Sequence, residues 1–270
     1  VAEIDSVARV PEYISRAYHT SMAGRPGPVV LALPEDMQDD RAPSIRLNTA
    51  HRIQPAPSTD NIEDFRERLS RADRPLVILG GNFWTQTGIN NIRIFAETNH
   101  LPVTCAFRYQ HLFNNDHPNY AGDVGIGINP SLSERVKNTD LLIAVGARLG
   151  EMTTSGYSLL DIPMPKQTLV HVYPGAEELG RVYRPELAIN SGMDAFAEAC
   201  VEMIPVKGSW AKETKIANAD YIAWSQPTKV PGDVNVGKIM HILRDMMPND
   251  GIITNGAGNF AAFVNRFFRY

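Results

Sequence analysis

Glycine placement carries the chemistry most open to interpretation in this chain. Gly80 and Gly81 close the apolar run LVIL, Gly146 stands two residues before Arg148 in LLIAVGAR, and Gly122, Gly125 and Gly127 punctuate AGDVGIGINP. Beyond the carboxyl end of a parallel strand, such glycines let backbone approach a phosphate, and an arginine there could neutralise it. Candidate binding positions are therefore Gly80, Gly81, Gly122, Gly125, Gly146 and Arg148. None of these runs reads GxGxxG followed by an acidic residue, so plain turn geometry remains an equal alternative. A further run, TNGAGNF, follows GIIT; Gly256 and Gly258 could form a backbone nest for a diphosphate with Asn259 as donor, or only a tight turn.

Other polar residues offer less. His111, Asp116 and His117 gather in YQHLFNNDHPNY without a metal-ligand spacing, and Asn-Asp-His-Pro suits a loop, so no metal site is expected. His19, His51, His100, His171 and His241 stand singly, and Ser155 lies outside any GxSxG. Glu151 and Asp161 would pair only if the fold brought them together. Cys105 and Cys200 lack CxxC spacing and read as buried apolar side chains. No catalytic residue is assigned.

The elements that must hold these residues alternate between helix and strand. Residues 1–41 read as a helix with Ile14, Ala17, Tyr18 and Met22 on one face, stopped by Gly24, then a covered strand from Pro28 to Leu33. Residues 42–58, rich in proline, read as a linker. From 59 to 205 an N-cap at Asp60 with Glu63 opens a helix striped by Ile62, Phe65, Leu69 and Ala72. Strands LVILGG, PVTCAF, LLIAVGA and TLVHVYP follow, with helices over 89–98, 132–138 and 194–203 between or after them. That rhythm predicts an α/β fold, a doubly wound and mostly parallel Rossmann-like sheet, flanked by incomplete αβ pieces of two neighbouring domains. Residues 206–232 read as a second linker that packs through Trp210, Tyr221 and Trp224, and 233–270 as a helix, Val236–Met246, then the strand GIITNG.

Composition excludes little beyond extremes. A 270-residue chain with 43% hydrophobic and 21% charged residues and a net charge of -4 shows no bias toward nucleic acid or membrane. No apolar run approaches the ~20 residues of a membrane span, and the expected location is cytoplasmic.

Longer stretches resemble a known family. GRPGPVVLALPEDMQ, RPLVILGGNFW, LLIAVGARLGEMTTSGY, TLVHVYPGAEELGRVYRPELAI and DGIITNGAGNFA occur in the order seen in thiamine-diphosphate-dependent enzymes of the acetolactate synthase type. They resemble, in turn, the end of the pyrimidine-binding domain, the central domain and the start of the diphosphate-binding domain. The resemblance implies a homodimer or homotetramer with thiamine diphosphate and Mg2+ held between the first domain of one subunit and the third of its partner. It implies a glutamate that protonates the aminopyrimidine, an ylid that attacks a 2-keto acid, and release of carbon dioxide as the ring takes up the electrons of the broken bond. Neither the glutamate's segment nor the family's GDG motif is in this sequence. Gly258, Asn259 and Phe260 match positions that touch the cofactor diphosphate. The central domain of some relatives holds FAD, of others ADP or nothing; Gly122, Gly125 and Arg148 match positions near that nucleotide. His171 and Tyr173 stand where FAD-binding members end a strand with an acidic pair, which argues against FAD.

The expectation is thus an internal piece of a carboligase or decarboxylase acting on a 2-keto acid, inactive as this polypeptide. Its reading frame would extend roughly 120 residues upstream and over roughly 200 downstream. The alternatives are a non-catalytic nucleotide-binding module with the same fold, or an NAD-dependent oxidoreductase, the latter disfavoured by the missing GxGxxG.

Overall fold

A computed structural model describes residues 1–42, 44–46 and 48–270; Pro43 and Leu47 of the expected linker lie outside the described residues. The chain opens with a short strand β1 (Ala2–Glu3), a helix α1 (Val10–Met22) carrying Pro11 in its first turn, and a strand β2 (Leu31–Ala32). β1 and β2 pair in parallel as a two-stranded sheet. The covered strand expected from Pro28 to Leu33 is corrected here. Two residues pair, while Val30 and Leu33 stay about half exposed, because one short neighbour cannot bury both faces.

Helix α2 (Thr59–Arg71) begins earlier than Asp60. Ser58 is the cap: its hydroxyl accepts from the Asn61 N–H, and the Asn61 side chain accepts from the Ser58 N–H, a reciprocal pair that satisfies two orphan donors. Phe65 and Leu69 are fully buried, with Ile62 and Ala72 packed beside them, as their spacing predicts. The strand β3 (Pro75–Leu79), helix α3 (Gln86–Thr98), strands β4 (Val103–Cys105) and β5 (Tyr120–Asp123), helix α4 (Pro130–Asn138), strands β6 (Leu141–Val145), β7 (Thr168–Tyr173) and β8 (Leu187–Asn190), and helix α5 (Met193–Glu202) follow.

These form one six-stranded parallel sheet in the order β5-β4-β3-β6-β7-β8. Alternate residues of each central strand enter two different cores. Val77, Leu79, Ile143 and Val145 face α2, α3 and α5; Leu76, Ile78, Leu142 and Ala144 face α4 and the stretch around Leu149 and Leu159. Each Val, Leu or Ile among them, buried on its own face of the sheet, contributes about 1.5–3 kcal/mol of transfer free energy. That two-sided burial is why the strands read as continuous apolar runs.

Three expectations differ from the fold. β5 and β8 are edge strands that the sequence hides, β5 because Gly122 breaks the apolar run and β8 because its four residues, with only Leu187 and Ile189 large and apolar, are too few to show a period. The second linker contains helix α6 (Ala211–Trp224), whose buried side is only Thr214, Ala217 and Tyr221, too small and polar for a recognisable stripe. The C-terminal helix α7 (Val236–Met246) forms as expected, but GIIT is not a strand. With no ladder to join, its Ile252 stands 85% exposed, and the chain ends in helix α8 (Ala261–Phe267). Among the described residues no helix is long and apolar enough to cross a membrane.

Candidate functional site

The sheet order reverses between β3 and β6, whose connections leave toward opposite faces. A crevice opens outside the carboxyl ends of such strands. Here backbone packs on backbone at the crevice floor. Gly81 (φ 81°) and Gly146 (φ 68°) take left-handed turns, and a Cβ at either would lie 2.5 Å from the Gly146 oxygen or 2.4 Å from the Gly80 oxygen, respectively. At Gly80, a Cβ would meet Ala147 at 2.9 Å. Only glycine satisfies these approaches.

Above that floor lies a cleft of about 510 Å3, within the range of small-molecule sites. Arg25, Arg52, Arg108 and Arg148 all line it, with Phe83, Tyr109, Tyr157, Tyr173 and Met193 as apolar walls. Four guanidiniums on one cleft of a chain with net charge -4 make a local field suited to an anion. Phe83, Arg108 and Tyr157 hold left-handed φ values of 71°, 70° and 62°, a conformation costly for non-glycine residues and concentrated at ligand clamps.

Three of the arginines are held in different ways. Arg52 stacks over the Phe83 ring at 4.9 Å and donates from Nη1 to the Phe83 carbonyl at 3.4 Å, while its buried Nε has no partner among the described residues. Burial lowers the Arg52 pKa, partly opposed by Asp194. Arg148 donates from Nε to Glu178 Oε2 at 3.0 Å. Arg108 covers the Phe107 ring at 5.0 Å. Behind the wall, burial pushes the His171 pKa down, and its Nε2 hydrogen-bonds the Ala147 carbonyl at 2.9 Å. Burial raises the Tyr173 phenol, with Arg25 acting in the opposite sense.

Of the expected site residues, the fold brings Gly81, Gly146 and Arg148 to the cleft, with Gly80 packed directly beneath. Gly122 and Gly125 are not in its lining. A Cβ on Gly122 would face Tyr221 at 3.3 Å, and one on Gly125 would press on Phe107 at 2.7 Å, so both serve close packing at the sheet edge. Gly258, Asn259 and Phe260 form an exposed turn into α8, away from the cleft lining. Neither Gly256 nor Gly258 takes a left-handed φ, so of the two readings open for this run the backbone has the form of the plain turn.

Other polar residues are engaged elsewhere. His117 meets Glu97 at 2.8 Å, Asp116 meets Arg269 at 3.1 Å, and Asp161 meets Lys166 at 3.3 Å, while Glu151 lies in the cleft lining. Sequence reasoning missed Arg25, Arg52, Arg108 and the walls Phe83, Tyr109 and Tyr157. Arg108 had a readable signal, an arginine just past the strand PVTCAF; Arg25 and Arg52 come from outside the sheet and reach the cleft only through tertiary folding.

A parallel sheet wound on both faces, with a glycine floor and a charged cleft at its switch point, defines a doubly wound α/β domain with a ligand-type crevice. Residues 62–200, a little over half the chain, match the family described as thiamine pyrophosphate enzyme, central domain, and the chain belongs to that family. Among relatives, it is 24% identical over 259 residues to the acetolactate synthase isozyme 2 large subunit of Escherichia coli (strain K12), covering 94% of this chain and 45% of that protein. The isozyme 1 large subunit of the same organism is 27% identical over 205 residues, covering 74% of this chain and 34% of the relative. A crystal structure of benzoylformate decarboxylase from Polynucleobacter necessarius superposes with a TM-score of 0.73 at 20% identity, covering 99% of this chain and 49% of that one. The chain thus spans less than half the length of these proteins.

Proposed function

We propose that this chain is the central part of a thiamine-diphosphate-dependent carboligase or decarboxylase acting on a 2-keto acid. We also propose that its switch-point cleft holds the diphosphate of an adenine nucleotide, ADP or FAD. The membership of residues 62–200 in the central-domain family supports the first statement. One observation carries the second: Arg25, Arg52, Arg108 and Arg148 converge on a cleft whose floor only glycine permits. The Arg52 Nε, without a partner among the described residues, is a donor that a phosphate oxygen would satisfy. In this reading Gly81 and Gly146 admit the ligand close to backbone, and Phe83, Tyr109 and Tyr157 offer faces for a ring. His171 and Tyr173, in place of an acidic pair, favour ADP over FAD.

Thiamine diphosphate and Mg2+ belong to the proposed full-length enzyme, a cytoplasmic homodimer or homotetramer. Gly258, Asn259 and Phe260 would touch that cofactor's diphosphate. Their turn is exposed and does not by itself cradle a diphosphate, so no step of the reaction is assigned to it.

The test uses the full-length gene product with added thiamine diphosphate and Mg2+, assayed for carbon dioxide release from pyruvate and benzoylformate. Turnover with either supports the enzyme, and the 270-residue polypeptide alone should show none. Nucleotide binding by a full-length product inert toward every 2-keto acid tried would favour the alternative, a non-catalytic nucleotide-binding module.

A further inference from the structure

We infer that Glu178 is a positioning residue that sets the cleft's affinity for a diphosphate-bearing nucleotide by fixing the guanidinium of Arg148; this rests on the nucleotide reading of the cleft. Glu178 is absent from the cleft lining, and its side chain is only 7% exposed against 39% for Arg148. The turn Ala176–Glu178 follows β7, and β7 pairs with β6 up to Val172 and Val145, so the loops after the two strands emerge side by side. Glu178 thereby arrives beside Arg148, three residues beyond β6, with Oε2 3.0 Å from Nε.

Two consequences follow from the chemistry of the pair. A guanidinium has five N–H donors in a planar fork; engaging Nε leaves both terminal amino groups as a free edge, the edge that pairs end-on with an oxyanion. Anchoring also removes most of the rotamer freedom that a long side chain would otherwise lose on binding. The buried carboxylate would be costly if its one counter-charge were shared with an anionic ligand. Arg181 Nη1 lies 3.7 Å from the same oxygen, so Glu178 keeps a counter-charge when Arg148 engages an anion. The cluster of Arg148, Arg181 and Glu178 stays net positive toward the cleft.

The experiment is calorimetric titration of this polypeptide with ADP, with inorganic pyrophosphate as a second probe that lacks the ring. ADP should bind the wild type, Arg148→Ala should abolish or strongly weaken binding, and Glu178→Ala should weaken it about tenfold with far-UV circular dichroism unchanged. Glu178→Gln, whose amide oxygen still accepts from Nε, should remain within about threefold of wild type, the rescue expected of a positioning role. The Arg148 Nε–H resonance should be protected in wild type and Glu178→Gln and lost in Glu178→Ala. Should Glu178→Ala fail to fold, Glu178→Asp, which withdraws the carboxylate by one methylene, carries the same expected loss. Binding that responds to Arg148→Ala but not to Glu178→Ala or Glu178→Asp overturns the inference alone. Absence of ADP binding in the wild type overturns the nucleotide reading and the inference with it.

Discussion

Asp123, the last residue of β5, shows how burial rather than partnership governs a side chain near the sheet's carboxyl edge. Its carboxyl sits among Tyr120, Tyr221, Tyr270 and Cys105, and desolvation raises its pKa from 3.8 to about 7, only partly countered by Gln110 Nε2 at 3.4 Å. Between pH 3.8 and about 7 the folded chain therefore holds a proton that the unfolded chain has released. With more protons bound in the native state, this group makes stability fall as pH rises through that window, the reverse of an ion-paired carboxylate. Thermal midpoints from about pH 5 to about pH 8 should decline in the wild type, and Asp123→Asn should lose that part of the slope. Parallel slopes in the two proteins would show that the carboxyl titrates normally.

At the scale of elements, Asn99 joins α3 to α6. Its side chain donates to the Phe95 carbonyl at 2.9 Å and accepts from the Val206 N–H at 2.7 Å, while its own carbonyl accepts from Trp210 Nε1 at 2.7 Å. All of these groups are buried. Asn99→Ala leaves the Val206 N–H without a partner and should cost about 1–3 kcal/mol, read as a lower urea midpoint. Phe65 tests the opposite face of the same layer. Its ring is fully buried, 5.9 Å from Phe95 and 5.4 Å from Phe196, so it links α2, α3 and α5. Phe65→Ala should cost about 3–5 kcal/mol in the same measurement, and a loss under about 1 kcal/mol would mean the layer collapses around the gap.

For the whole molecule, the cleft draws its cations from four separate stretches of chain. Arg108 and Arg148 follow strands of the central sheet, Arg25 follows α1, and Arg52 precedes α2. The segments outside the sheet are already seated: a Cβ at Gly24 would be 3.5 Å from Gly175, and the Gly192 N–H donates to the Pro55 carbonyl at 2.8 Å. An anion bridging all four arginines would tie the N-terminal unit to the central sheet. Hydrogen exchange at residues 24–27 and 52–54 should slow when ADP is added, and less so at about 0.5 M salt, where screening weakens the bridge. Exchange unchanged at saturating ADP would mean that Arg25 and Arg52 do not share the ligand. The C-terminal segment docks elsewhere, through Tyr270 to Asn115 and Arg266 to Trp224, with its guanidinium 3.6 Å from that indole ring.

Much of the central fold was legible in order along the chain. Strands buried on both faces must be apolar throughout, so β3, β4, β6 and β7 announced themselves, as did helices whose stripes meet that sheet. Gly80, Gly81 and Gly146 could be singled out because strand ends followed by glycine are where backbone must turn or approach closely. The cap at Ser58 in place of Asp60 was a local signal, held within Ser58 to Asn61, whereas the hidden helix α6, the edge strands β5 and β8, and the failure of GIIT to pair turned on what lies alongside in space. So did the gathering of Arg25, Arg52 and Arg108 onto one cleft and the anchoring of Arg148 by Glu178. Periodicity reports how a segment is buried, whereas a cleft depends on which distant segments share an edge, and that is decided by strand order and packing.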